Sequence, residues 1–322
     1  MIRSRVVMSL AVLSLTVVGI SHAENSLVPV STQSISAIDP SSATTMVVIS
    51  TAAKPIVIEL SALDVKANRE RQWRDSGIRL LPFRPNYFLP YAQAVNGHPG
   101  GGIDDADAAK LQHIEAKFQF SFRAPLVSGL FFGHGTLQFA YTQLSLYQLY
   151  NRKLSAPFRS TNYEPEARLT FETPYRLLGW DFRYVELSYD HQSNGRSDPD
   201  SRSWNRIVGE LIAGRGNGVI SFRPWYRIPE SAGQDDNPDI DRFLGHFELR
   251  GSYTWKSQIA TVMMRNNLRA RNKGAVEVDY SFPLFKRLRG YAQYFNGYGE
   301  TLIDYNFPIS RFGLGLSFSD WL

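Results

Sequence analysis

The sequence predicts an all-β chain folded as a twelve-stranded antiparallel transmembrane β-barrel. After about Pro85 hydrophobicity alternates with a period of two, the mark of strands with one greasy and one polar face. The alternating segments are mostly about ten residues long, enough for a tilted strand to cross a bilayer. They are even in number, and long and short connections take turns between them, as in single-chain outer-membrane barrels.

From the N-terminus, Arg3 and Arg5 precede an apolar run at 6–20, and Ser21-His22-Ala23 is a small-x-small cleavage site, so 1–23 reads as a secretory signal peptide. Residues 24–82 are expected to form an N-terminal appendage, partly disordered. Ser, Thr and Ala dominate to Thr45, short apolar pieces follow at 46–49 and 55–60, and a polar, potentially helical stretch runs over 62–74. No chemistry is recognisable in it. The barrel domain is then 83–322.

Candidate strands lie at 85–95, 116–125, 135–150, 165–173, 180–193, 203–213, 219–228, 243–255, 257–267, 274–282, 287–296 and 311–322. In one of them Phe243, Gly245, Phe247, Leu249, Gly251, Tyr253 and Trp255 alternate with His246, Glu248, Arg250, Ser252 and Thr254. Phe118, Phe120 and Phe122 alternate with Lys117, Gln119, Ser121 and Arg123, and the last strand sets Phe312, Leu314, Leu316 and Phe318 against Arg311, Gly313, Gly315 and Ser317. Long connections follow the odd strands and short ones the even strands; 268–273 fits this least well. Both termini fall on the short-turn side. Glu166, Arg168, Glu172, Arg206, Glu210, Glu248, Arg250, Glu277 and Asp279 share the lumen parity, so the interior is expected to be filled by ion pairs rather than open.

Composition narrows the function. A chain 43% hydrophobic and 20% charged is not disordered, and with no Cys it has no disulfides, thiolate metal sites or Cys nucleophiles. The net charge of +5, without a basic stripe, gives no support for a nucleic-acid partner. Beyond Ala23 no run approaches the roughly 20 apolar residues of a helical span. The chain is soluble or crosses as strands.

The informative stretch is 189–206. His191 and Ser193 are two apart, so on a strand their side chains leave the same face and the imidazole can take the hydroxyl proton. Asn205 begins the next strand across the hairpin, where its side-chain oxygen could accept the other imidazole N–H. His191 and Ser193 share parity with Val185, Leu187 and Tyr189, and Asn205 with Ile207 and Leu211, so all three should face lipid. Trp180, Phe182 and Tyr184 have the opposite parity and call for a bulge or a change of environment lower in the strand. Hydrolytic groups on the outer wall, at the long-loop rim, would meet acyl esters lying in the bilayer. There is no G-x-S-x-G, so an α/β-hydrolase nucleophile elbow is absent.

At these residues the sequence resembles the outer-membrane phospholipase A family. The likeness runs from Phe83-Arg84-Pro85-Asn86-Tyr87 through Pro157-Phe158-Arg159, Thr161-Asn162-Tyr163-Glu164-Pro165, the specific His-x-Ser-Asn-Gly-Arg-Ser and Ser-Arg-Ser-Trp-Asn-Arg blocks within 191–206, Asp235-Asp236-Asn237-Pro238-Asp239, and 297–307. The resemblance implies a calcium-dependent serine hydrolase of the bacterial outer membrane. It would cleave glycerophospholipid acyl esters (phospholipase A1/A2 and lysophospholipase type) and be active as a homodimer. It assigns His191 as general base, Ser193 as nucleophile and Asn205 as orienting residue. Calcium would be held by the Arg196 carbonyl, the Ser201 hydroxyl, Asp236 and, from the partner subunit, Ser155. Gln143 matches the family's polar residue in the membrane-embedded dimer face. It interrupts the lipid-facing row Leu137, Phe139 and Tyr141, where an unpaired amide is costly and a partner amide would relieve it.

Other motifs are weaker. Asn237 to Asp241 begins like an EF-hand, but the sixth position is Arg242 rather than Gly, and Glu248 lies in a strand. Arg265, Arg269, Arg271 and Lys273 read as a solvated turn. His98, His113, His134 and His246 lack metal-site spacing. The rival to a hydrolase is a non-catalytic channel or structural barrel.

Overall fold

The computed structural model describes residues 46–49, 56–77, 80–97, 99–100, 108–155, 157–285 and 288–321; the expected signal peptide lies outside them. A short hairpin, β1 (Met46–Ile49) and β2 (Ile56–Glu59), precedes a helix α1 (Ala62–Asp75) and a two-residue strand β3 (Leu81–Pro82). Then come β4 (Asn86–Asn96), β5 (Ile114–Gly129), β6 (Gly135–Tyr147), β7 (Phe158–Leu177), β8 (Trp180–Ser193) and β9 (Ser203–Arg215). The rest are β10 (Gly218–Arg227), β11 (Phe247–Trp255), β12 (Gln258–Asn266), β13 (Gly274–Phe285), β14 (Leu288–Gly297) and β15 (Ile309–Ser319). From β4 on, each strand pairs antiparallel with its sequence neighbours, and β15 pairs with β4. The twelve strands close into a barrel, as expected.

Burial is inverted relative to a water-soluble protein. Glu115, Lys117, Glu166 and Arg168 are at most 1% exposed, while Phe120, Leu187 and Phe318 are more than half exposed. Among the described residues no helix is long and apolar enough to cross a membrane, and the strands do so instead. Of the two ways to reconcile the parities low in β8, the structure has the bulge: the β8–β9 register shifts between Phe182 and Tyr184.

Several strand limits differ from expectation: β5, β7 and β13 run on past 125, 173 and 282, β6 and β15 stop short of 150 and 322, and the starts of β7 and β11 move. β7 begins at Phe158 rather than 165, because Pro165 is accommodated in the ladder opposite Tyr141 and the in–out alternation continues on both sides of it. β11 begins at Phe247 rather than 243. Residues Asp241–Leu244 form a single helical turn, and Phe243 is buried with Leu244 and Tyr305 instead of facing lipid. Gly245 makes the break: its φ is +73°, and a Cβ there would lie 2.2 Å from the Asn266 carbonyl oxygen.

The lumen is filled by charge. Arg168 on β7 bonds Glu166 at 2.5 Å, Glu210 on β9 at 2.9 Å, and Glu186 on β8. Arg223 on β10 reaches Glu166 and Asp190 at 2.8 and 2.9 Å, and Arg206 reaches Asp190 and Glu164 at 2.9 and 3.2 Å. What remains near the middle is a polar cavity of about 110 Å³ between Arg84, Lys117, Glu164, Arg206, Arg223 and Glu248. That is room for a few waters, not for a conduit.

Within the expected appendage, the segment from residue 61 packs against the barrel. Ser61 and Asp64 form a capping box: Ser61 Oγ accepts the Asp64 N–H, and Asp64 Oδ2 accepts the Ser61 N–H, both at 3.1 Å. The helix so started buries Leu63 against Val219 and Trp321, contributing about 2 kcal/mol. The Ala62 N–H donates to Gly216 in the β9–β10 turn at 2.8 Å, so α1 lies at the short-turn mouth. Lys66 Nζ donates to the Trp321 carbonyl at 2.5 Å, Arg123 pairs with Glu70 at 2.6 Å, and Arg183 pairs with Asp64.

At the opposite mouth the loop 298–308 folds inward. Glu300 sits between Lys117 at 3.0 Å and Arg311 at 2.9 Å, and Asp304 pairs with Arg159. Burial alone would raise the Glu300 carboxyl, but Arg311 and Lys117 outweigh it and bring it from 4.5 down to about 2. A carboxyl so lowered stabilises the fold above pH 4.5, and the contribution fades as the pH falls toward about 2, with a full value of about 3 kcal/mol. In denaturant unfolding from detergent micelles, wild type should exceed Glu300→Gln by about that amount at pH 7. The gap should narrow steadily on acidification below pH 4.5; a pH-independent gap would count against the ion-pair origin.

Candidate active site

β8 and β9 form the hairpin that carries the candidate residues. Their register sets His191 opposite Asn205 and Ser193 opposite Ser203. The outward parity expected from the sequence holds: Val185, Leu187, Tyr189 and Ile207 are exposed, while Glu186, Ser188, Asp190, Trp204 and Arg206 are buried. The inner face anchors the pair. Trp204 Nε1 donates to Gln192 Oε1 at 2.8 Å, and the Arg206 guanidinium stacks 4.2 Å over the Trp204 ring.

On the outer face His191 Nδ1 lies 2.9 Å from Asn205 Oδ1. The same oxygen accepts the Tyr189 hydroxyl at 2.7 Å, and Asn205 Nδ2 donates to Glu230 Oε1 at 2.9 Å. With the Asn205 oxygen accepting from Nδ1–H, the ring presents its Nε2 lone pair on the face from which Ser193 also emerges. Among the described residues no hydrogen bond joins Ser193 Oγ to the ring; the two are brought together by their spacing on β8.

The loop 194–202 is braced by Asn194. Its side-chain oxygen accepts the N–H groups of Arg196 at 3.2 Å and Arg202 at 3.0 Å, and its Nδ2 donates to the Asp200 carbonyl at 2.7 Å. The Asn194 N–H is committed to the Arg202 carbonyl at 3.0 Å. Gly195 has φ +65°, and a Cβ on it would sit 2.9 Å from the Tyr163 ring. Arg196 turns its guanidinium away, onto Asp200 and the Arg159 carbonyl.

A second loop completes the rim. Ser201 Oγ donates to Asp236 Oδ2 at 2.5 Å, and Asn237 Oδ1 accepts the Ser203 N–H at 2.9 Å. Ser201 and Asp236 are therefore brought together, with Arg196 in the same loop. Hydroxyl, carboxylate and carbonyl oxygens are the hard donors that suit calcium. Ser155 stands apart in the β6–β7 loop, and among the described residues no hydrogen bond links it to Arg196, Ser201 or Asp236. Asn237 and Asp239 are taken by the Ser203 N–H and the Tyr305 hydroxyl, consistent with rejecting an EF-hand. Burial and the bond to Asp239 push the Tyr305 phenol up.

Gln143 is not an unpaired amide. The Tyr141 hydroxyl donates to its Oε1 at 3.0 Å, and its Nε2 reaches Ser145 Oγ at 3.3 Å, so the expected cost of an unsatisfied amide in lipid is met within the protomer. Inside the barrel, Glu164, Glu166 and Asp190 are close enough to share a cation, but Arg84, Arg206 and Arg223 already occupy that role.

Sequence reasoning passed over Tyr189, Asn194, Asn237 and Glu230. Tyr189 was recoverable, since it shares the parity of His191. The two asparagines and Glu230 act across loops whose paths the local pattern does not encode.

Comparison with known proteins bears on the family and the fold. Residues 63–318 match the family model described as Phospholipase A1. Phospholipase A1 of Klebsiella pneumoniae is 41% identical over 250 residues, covering 77% of this chain and 85% of its own, and that of Salmonella typhimurium is 45% identical over 250 residues, covering 77% and 84%. The structure of outer membrane phospholipase A from Escherichia coli superposes with a TM-score of 0.71 at 40% identity, over 76% of this chain and 99% of that one. A Salmonella typhi outer membrane phospholipase, described as a dimer with bound calcium, gives the same TM-score and identity over 76% and 93%.

The Gly195 turn is directly testable. Gly195→Ala should destabilise the barrel by about 1–2 kcal/mol in detergent unfolding, from left-handed backbone strain and the clash with Tyr163. Adding Tyr163→Ala should recover only the clash, leaving a residual loss relative to Tyr163→Ala alone.

Proposed function

The chain belongs to the phospholipase A1 family, and on that premise we propose that it hydrolyses glycerophospholipid acyl esters in the bacterial outer membrane through Ser193, His191 and Asn205, with calcium. The observation that carries this reading is the 2.9 Å contact between His191 Nδ1 and Asn205 Oδ1 on the lipid-facing side of β8 and β9. Polar residues are expensive on that face, and an ester substrate lies in the same layer.

His191 Nε2 removes the Ser193 proton as Oγ adds to the ester carbonyl. Collapse of the tetrahedral adduct expels the lysophospholipid oxygen, which takes the proton from the imidazolium and leaves an acyl-serine. Water, deprotonated by His191, then releases the fatty acid and restores Ser193. Asn205 holds the ring and its tautomer throughout. The Gly195 N–H is the donor suited to the oxyanion, because the neighbouring Asn194 N–H is already engaged.

Arg196 through its carbonyl, Ser201, Asp236 and Ser155 of the partner subunit would hold the calcium. Bound there, the ion supplies positive charge against the developing oxyanion. That the Salmonella typhi relative is described as a dimer with bound calcium, and an Escherichia coli relative as an active-site mutant with asparagine changed to alanine, supports these roles. A site divided between subunits makes dimerisation the regulator, with Gln143 in the dimer face. The signal peptide at 1–23 directs the chain out of the cytoplasm. A channel is disfavoured by the ion pairs that cross the lumen.

Purified, refolded protein assayed on phospholipid–detergent micelles tests this. Ser193→Ala should lose on the order of a thousandfold or more in kcat, and a chelator should abolish wild-type turnover in a calcium-reversible way. Undiminished hydrolysis by Ser193→Ala would sink the serine mechanism, and chelator-insensitive turnover would sink the calcium role.

A further inference from the structure

Asn205 has one carbonyl oxygen and one NH2 group, and only one of its two orientations leaves His191 a base toward Ser193. With Oδ1 on the ring, Nδ1 holds the proton and Nε2 the lone pair; with NH2 there, the tautomer reverses and Nε2 is blocked. Tyr189, at 2.7 Å, does not choose between them, because a phenol can donate or accept. Glu230 does choose. An ionised carboxylate only accepts, so the group 2.9 Å from Glu230 Oε1 must be the NH2.

We propose that Glu230 is a positioning residue for the hydrolysis: it fixes the Asn205 amide and, through it, the His191 tautomer. This rests on the Ser193–His191–Asn205 reading above. The placement is set by backbone. Tyr226 and Arg227 pair with Ile207 and Arg206, and the Ile228 N–H then donates to the Asn205 carbonyl at 2.8 Å. Pro229, with its fixed φ, follows, and the half-buried Glu230 comes next, facing the Asn205 amide. Beyond it the loop is pinned by Ser231 to Gln234 at 2.9 Å and by Arg227 to Asp235 at 2.6 Å.

The test is steady-state kinetics on phospholipid–detergent micelles with calcium, using refolded barrels verified by heat-modifiable gel mobility. Glu230→Ala should lower kcat about tenfold with KM unchanged. Glu230→Gln, which keeps an acceptor oxygen, should restore most of it, and Glu230→Lys, which offers only donors, should fall below Glu230→Ala. In an Asn205→Ala background, Glu230→Ala should add nothing, because its effect passes through that amide. Wild-type kcat in both Glu230→Ala and Glu230→Lys, or an undiminished further loss in the Asn205→Ala background, overturns the proposal. If those results come with an inactive Ser193→Ala, only the role of Glu230 fails; an active Ser193→Ala removes the catalytic reading itself.

Discussion

Each wall strand meets two solvents, hydrocarbon outside and packed charge inside, and the ion pairs in the lumen are what make the second tolerable. A lone buried charge costs several kcal/mol, and removing one partner of a buried pair costs about 3–5 kcal/mol. Here the cations bridge strands as well as neighbours on one strand. Arg168 ties β7 to β8 and β9, and Arg223 ties β10 to β7 and β8. A slip of one residue would turn these side chains to lipid and the aromatic rows inward, so register is held from both sides.

The reactive face inherits that rigidity. Asp190, between Arg206 and Arg223, precedes His191, and Arg206 follows Asn205. The inner residues fix how far each strand has advanced along the other. Because His191 and Asn205 are a direct cross-strand pair, the fixed register places ring nitrogen against amide oxygen without a loop having to supply the alignment. Loops supply the remainder: Asn194 shapes the turn at Gly195, and the 235–239 segment brings Asp236 to Ser201.

Parity was the legible part. Alternation over two strands was enough to put His191, Ser193 and Asn205 on the outer wall, and the clash of Trp180 and Tyr184 with that parity marked where the strand is irregular without saying that a bulge was the cause. Breaks were harder to read. Phe243 continues the odd-numbered row of β11 in the sequence, yet a glycine in the left-handed region two residues later ends the pattern, and Phe243 packs with Tyr305 instead. The strand was expected to start at Pro165, which instead sits within the ladder opposite Tyr141, seven residues past the start of β7 at Phe158. Gln143 looked unsatisfied because Tyr141, two residues away on the same face, was counted as apolar surface, although its hydroxyl is the donor the amide needs. Glu230 lies 25 residues from Asn205, across a loop, and no local period records that meeting.

The seat of α1 is composite. Its floor includes Val219 near the start of β10, its rim the Gly216 carbonyl, and its far side Trp321 beyond the last strand. Those pieces share one location only after β15 has joined β4. An element from near the beginning of the chain therefore finds its berth complete only when the end of the chain has arrived, and its docking marks a finished ring.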